Sequence, residues 1–442
     1  MASGLTQCQN FKKMELPCNF WQIPPMKTTI IALFLTAFVA PSAHALSITD
    51  VSMFGYLRAG SGTNTYGGDQ ECFYNQGSGG WGGVGRNEFR LGNECSNYLE
   101  VGLRFNHLKT EKQNVFTQFR IANSHNGDDS FESKNQSTNF VEAFAEIQGM
   151  NDLPWSFWVG KRFYRDQDVY IDDFYYFGSM NGNGAGIGNI PLLGGELSFA
   201  YLRQVSDVKT SKGTQSLTVY DTRLKNIQLA PKLRQNFWAA YGHAPESEDV
   251  LTMAKYEKAT GFVVGTLLDY DLNGEGFNHF TILYGQGVMN DFNLYGDMTV
   301  TPGDPQEDKK RLRFINHTTY NVNDRWAFHL SLNYDRLTYK SAKEQWMGAA
   351  VRPVYRVTPT FHMVSEVGSS IVKNGGDRRL TRVTIAPQLS ISENIWGRPV
   401  LRAFYTHSFW NTANRAFIAQ NAPTYGNKTS GGAYGFQVET FF

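Results

Sequence analysis

The stretch Arg86–Phe105, RNEFRLGNECSNYLEVGLRF, alternates from Tyr98 onward. Leu99, Val101, Leu103 and Phe105 fall on one side of an extended chain, and Tyr98, Glu100, Gly102 and Arg104 on the other. Period two is the strand signature, because successive side chains of a strand point to opposite faces. One face suits lipid or a dry core. The other mixes an acid, a base and an aromatic ring. The same pattern predicts a first strand near Val51–Ala59, with Val51, Met53, Gly55, Leu57 and Ala59 opposite Phe54, Tyr56 and Arg58. Asn114–Ala122, Phe140–Gln148 and Ser156–Tyr164 follow as strands, with Asn, Gly and Asp clusters between them. Tyr164–Ile190 is predicted to be a long loop, too polar for a membrane strand and too long for a turn. Long loops in compact folds are usually functional, and a plain surface loop is the alternative.

From Glu196 to the C-terminus short, often alternating runs recur, such as LSFAYLRQ, GFVVGTLLDYDL and RPVLRAFYTHSFW. Tight polar turns and longer loops separate them in alternation, the pattern of an outer-membrane barrel. In the last run Phe436, Val438, Thr440 and Phe442 alternate with Gln437, Glu439 and Phe441, and a terminal aromatic on such a strand looks like a barrel-assembly signal. A chain that crosses a bilayer must pair every backbone group internally, so a membrane reading implies a closed barrel. About 400 residues, at about 20–25 per strand plus connection, make roughly 16–18 strands around an aqueous lumen. The predicted fold is all-β: a transmembrane antiparallel β-barrel of about 18 strands.

The leader sets the compartment. Met26-Lys27, the apolar run Ile30–Val39 and Ala43-His44-Ala45 read as a secretory signal peptide over 26–45, cleaved after Ala45. Its core is too short to span a bilayer as a helix. Residues 1–25, with Cys8 and Cys18, are predicted to be an over-called extension, and a genuine extension is the alternative. Residues 46–442 then form a single barrel domain. Of the four cysteines only Cys72 and Cys95 follow the leader, and an exported pair most simply forms one disulfide. A net charge of +1 implies no nucleic-acid partner. No histidine spacing points to a metal site, and no cofactor is expected. A formal G-x-G-x-x-G at Gly77, Gly79 and Gly82 lacks the flanking strand and helix of a dinucleotide site.

If the apolar faces look outward, the polar faces line the lumen and carry rings: Tyr56, Tyr98, Phe277, Trp396 and Phe441, mostly near charged residues. A ring left in water costs about 25 cal/mol per Å² of uncovered apolar area. A general ion pore has no use for that. Sugars do, because their C–H faces cover aromatic rings while their hydroxyls need donors and acceptors alongside. Conduction then requires that no single site hold tightly. The competing reading places these rings in interfacial girdles or under folded loops.

At these residues the chain resembles the maltoporin family, the sugar-specific porins of Gram-negative outer membranes. The matching segments are GYLRAG at Gly55–Gly60, QECF around Cys72, FRLGNEC at Phe89–Cys95, VGKRFY at Val159–Tyr164, DFYY at Asp173–Tyr176, GAG at Gly184–Gly186, GFN at Gly276–Asn278 and IWGRP at Ile395–Pro399. The resemblance implies a homotrimer in outer-membrane lipid, with the third loop folded into each lumen. It implies passive transport of maltose and longer maltodextrins along an aromatic slide. The slide would comprise Tyr56, Tyr98, Phe277, Trp396 and Phe441, with Phe131 the nearest candidate for a ring lent by a neighbouring subunit. Arg58, Arg90, Glu100 and Asp173 would hydrogen-bond sugar hydroxyls, Tyr175 would set the constriction, and Cys72–Cys95 would be the loop disulfide. The chain departs from the family at Val141 and Asp166, which take the places of arginines, at Tyr170, which takes that of a histidine, and at Phe441 and Phe131, which take those of tryptophans. These departures leave the preferred sugar open.

Two other classes are weighed. A barrel enzyme such as a glycosidase would need carboxylates about 5–10 Å apart, and the adjacent Asp172 and Asp173 would point oppositely in an extended segment. No catalytic set stands out. A soluble lectin-like protein is the other. Within the porin class, the alternative is a pore for another sugar such as sucrose, or a weakly selective one.

Overall fold

A computed structural model describes residues 50–75, 77, 89–126, 137–294, 306–340 and 342–442. The predicted leader, Phe131 and most of the glycine motif lie outside the described residues. Eighteen strands pair in chain order: β1 Val51–Asn64, β2 Ser96–Lys109, β3 Asn114–Asn126, β4 Ser137–Gln148, β5 Ser156–Tyr164, β6 Met180–Leu192, β7 Gly195–Thr210, β8 Gly213–Ala230 and β9 Leu233–Ala244. They continue as β10 Ala259–Asp271, β11 Gly276–Gly287, β12 Lys310–Asn321, β13 Trp326–Tyr339, β14 Ala342–Arg356, β15 Phe361–Lys373, β16 Asp377–Ser390, β17 Val400–Trp410 and β18 Ser430–Phe441. All pairings are antiparallel, and β18 returns to β1 with Phe441 opposite Tyr56 and Glu439 opposite Arg58. The barrel therefore has no free edge, which is how a spanning sheet satisfies its backbone in lipid. No helix among the described residues is long and apolar enough to cross a membrane.

Burial is inverted relative to a soluble protein. On β18, Phe436 is 73% exposed while Glu439 is 1% exposed. Val159, Val264, Leu401 and Tyr405 are likewise exposed, whereas Arg223, Arg311 and Arg382 are fully buried. The outer face is thus apolar and the interior polar, so the barrel's solvent on the outside is hydrocarbon.

Three expectations change. The first strand runs on to Asn64. The stretch Tyr164–Ile190 is not one loop: Met180–Leu192 is β6. Its alternation is invisible in sequence because Gly182, Gly184, Gly186 and Gly188 hold one face. A side chain at Gly186 would collide with the indole of Trp158, so that face must stay bare. Long and short connections alternate less strictly than expected. The end where β1 begins and β18 finishes has connections of up to nine residues, yet 211–212 and 374–376 at the opposite end are tight turns.

The loop between β5 and β6, residues 165–179, folds into the lumen and pairs Gln167–Val169 with Phe174–Phe177. One guanidinium closes its base: Arg223 Nη2 donates to the carbonyls of Tyr164 (3.0 Å) and Gly178 (2.8 Å). Further on, Asp172 accepts hydrogen bonds from Ser331 and Asn333 of β13. The Tyr176 hydroxyl lies 2.9 Å from His317 Nε2 of β12. Val169, Ile171, Tyr176 and Phe177 join Leu217, Trp238, Val263 and Leu283 of the wall in one buried apolar cluster. The loop is therefore packed onto that side of the barrel.

Candidate functional site

Alternation delivers three rings to adjacent strands. Tyr98 on β2 and Tyr56 on β1 have ring centroids 6.1 Å apart. Phe441 on β18 pairs across from Tyr56 and has the Arg398 guanidinium 5.2 Å from its ring. Trp396 is not on a strand, contrary to expectation. It sits on the connection 391–399 between β16 and β17, because Gly397 and Pro399 break the run before β17 begins at Val400. Its ring meets Tyr170 of the inward loop (5.1 Å, edge-on) and His329 (5.1 Å, edge-on). Phe277 on β11 stacks on His279 (4.4 Å, 27°) and meets His317 edge-on. Trp396 and Phe277 line one small cavity of about 90 Å³ with Asp168, Tyr170, His317 and His329.

The expected hydroxyl partners are heavily engaged with one another. Arg58 donates to Glu94 (2.5 Å) and stands 3.8 Å from Asp173. Arg90 donates to Glu94 (2.8 Å), Glu439 (3.2 Å) and the Tyr56 hydroxyl (2.6 Å), and stands 3.7 Å from Asp173. Both arginines are buried. Asp173 adopts a left-handed backbone (φ 54°), which turns the inward loop so that its half-exposed carboxylate meets both. Glu100 is buried beside Tyr98, whose hydroxyl donates to it, and pairs with Arg120 at 2.8 Å. Tyr175 stands in the inward loop with the Arg165 guanidinium 3.8 Å from its ring. Cys72 and Cys95 form the expected disulfide.

The departures have structural counterparts. Val141 is the extra residue of a bulge where the β3–β4 register shifts between Arg120 and Ile121. Asp166 pairs with Arg223 (3.0 Å) and Lys225 (3.1 Å). Burial pushes the Asp166 carboxyl up, but Arg223 and Lys225 outweigh it and hold it below the usual carboxylate range.

Sequence reasoning missed the centre of the polar cluster. Glu439 accepts from Tyr56 (3.1 Å), Arg90, Tyr170 (2.9 Å) and Arg402 (2.7 Å), with Arg398 at 3.7 Å. Its place on the inward face of β18 was legible, but its partners come from five other parts of the chain. Also missed is a ladder across β2–β5. Arg120 bridges Glu100 and Glu142 (2.8 Å each), and Arg162 pairs with Glu146 at 3.0 Å. Chemically the site offers apolar ring faces beside fixed carboxylates and guanidiniums.

Similar solved structures include the anion-selective porin from Comamonas acidovorans (13% identity, 88% of this chain and 99% of that one, TM-score 0.46). Others are OccAB2 of Acinetobacter baumannii (10%, 90% and 100%, 0.46) and the outer-membrane channel DcaP of Acinetobacter baumannii (11%, 90% and 99%, 0.43). The LamB porin family model matches residues 51–442, from the first residue of β1 to the last residue of the sequence. The chain belongs to the LamB porin family and is an outer-membrane β-barrel porin of the Gram-negative type.

Proposed function

We propose that this porin passes maltose, maltodextrins or related oligosaccharides by facilitated diffusion, with no covalent step. The observation that carries the reading is the ring series Tyr98, Tyr56 and Phe441 on three adjacent strands, set directly against the carboxylate–guanidinium cluster around Glu439. Rings give sugar C–H faces a place to shed water, and the flanking charges exchange hydrogen bonds with hydroxyls worth roughly 0.5–3 kcal/mol each. Trp396 and Phe277 continue the series, and Tyr175 with Arg165 narrows the lumen. Trp396→Ala is expected to weaken sugar block of the ion current in a planar bilayer far more than it changes conductance. Unchanged block would sink the assignment of Trp396.

A second reading, a pore for a short saccharide such as sucrose, is favoured by one observation. Arg58 and Arg90 spend their donors on Glu94, Glu439 and Tyr56, leaving less for a long chain's hydroxyls. Block titrations with maltose, maltotriose, sucrose and trehalose separate the two readings. The homotrimer belongs to the same proposal. Detergent extracts are expected to run as a heat-modifiable trimer on electrophoresis, and a monomer without heating would refute it.

A further inference from the structure

Tyr170 is an aromatic side chain of the inward loop that meets the ring series edge-on. Its ring lies edge-on to Trp396 at 5.1 Å and tilted against His329 at 5.4 Å. Its hydroxyl donates to Glu439 Oε2 at 2.9 Å and accepts from Arg398 Nη2 at 2.5 Å. Guanidiniums from three separate elements surround the ring, Arg90 at 4.9 Å, Arg352 at 5.2 Å and Arg398 at 5.7 Å. Arg398 also touches Phe441, the last ring of the first group. Tyr170 is thus joined to Trp396 by its ring and to Phe441 through Arg398. The space left around Trp396 and Phe277 is about 90 Å³, well short of the ~300 Å³ at which small-molecule pockets begin.

The surroundings of Tyr170 are those a sugar unit would need. There is an aromatic ring for an apolar face, a carboxylate and a guanidinium for a hydroxyl, and further cations on the flanks. We propose that these residues form a saccharide subsite that the loop's own Tyr170 fills, so that Tyr170 is a specificity-determining residue setting the saccharide length the series can bind at once. The inference rests on the sugar-porin reading given above. With Tyr170 in place the series is two short stretches: Tyr98, Tyr56 and Phe441 on one side, Trp396 and Phe277 on the other. Each added sugar unit contributes affinity only until the first stretch is covered. Beyond a trisaccharide, added units gain no ring to stack on.

Single-channel current block by maltose, maltotriose and longer maltodextrins tests this on the full-length protein in planar bilayers. In the unaltered porin, affinity is expected to level off at about the trisaccharide, since the stretch that is free of Tyr170 spans only three rings. In Tyr170→Ala the plateau is expected to move to longer chains, with binding of the longest sugars up roughly tenfold and maltose changed no more than about twofold. Tyr170→Phe keeps the ring and removes the hydroxyl, so its plateau is expected to stay where it is. It separates the ring's contribution from that of the hydroxyl bonded to Glu439 and Arg398. Affinity that keeps rising with length in the unaltered porin, or a Tyr170→Ala length profile identical to it, overturns the inference while leaving the sugar-porin reading standing. No block by any sugar in the unaltered porin overturns both.

Discussion

Asp172 sits at the tip of the inward loop with its carboxyl out of water. Burial pushes it up to about 7, against the lesser opposite pull of its bonds from Ser331 and Asn333; Glu366 adds to the rise and Arg352 opposes it. The sign follows from linkage. A carboxyl whose folded value is raised keeps its proton where the unfolded chain has lost it. Stability is therefore full below about pH 4, falls as pH rises, and levels off above about pH 7–8. The penalty for the ionised form is on the order of 4 kcal/mol, felt first by the loop it anchors. Current noise from loop movement is expected to increase between pH 5 and 8, and Asp172→Asn to remove that dependence. An equal pH slope in the variant would sink the idea. Only part of this residue scale was legible in sequence. Face parity placed Tyr56, Arg58, Tyr98, Glu100 and Phe441 inward. It gave no sign that Glu439 would gather Arg90 and Tyr170, which lie 349 and 269 residues away, or that Asp172 would bond β13. A buried charge cluster of this kind is held by mutual neutralisation, and removing one partner costs about 3–5 kcal/mol because the others stay buried without it.

At the scale of elements, strands with a mixed polar–apolar alternation were read correctly, and each failure has its own cause. β6 carries glycine on one face, so no period of two in hydrophobicity exists to be read. At Gly184 the β7 backbone, and at Gly186 the indole of Trp158, approach too closely for any Cβ. Trp396 looked inward-facing by extending the β17 alternation backwards, but Pro399 cannot supply a ladder N–H, and the strand starts after it. The inward loop was found by length and composition. Its fixed position was not, because Arg223 ties its two ends from a strand far along the chain. That one planar guanidinium reaches both carbonyls through Nη2 while Nε holds Asp221 and Nη1 holds Asp166, a spread a lysine cannot reproduce.

At the scale of the whole molecule, the inverted burial makes the outer wall a lipid surface. Val264, midway along β10, is exposed there and its neighbour Val263 is fully buried. Val264→Arg is expected to destabilise the folded barrel in bilayers by about 2–4 kcal/mol, the value for a cation near the midplane. Thr360→Arg, exposed in an end turn, serves as the near-neutral control, and equal denaturant midpoints for the two would contradict the lipid-facing assignment.

Sequence alone determined that this chain makes amphipathic strands, which faces they turn to lipid and lumen, and that the sheet closes. Those properties are local: side chains alternate along a strand, and a bilayer leaves no backbone group unpaired. It also marked the rings and the two exported cysteines. Only the tertiary structure decided which rings are neighbours, where the inward loop is pinned, and that Tyr170 meets Trp396, Glu439 and Arg398. Those are contacts between segments hundreds of residues apart. Barrel closure and a shared buried charge cluster select them, and no periodicity along the chain encodes either.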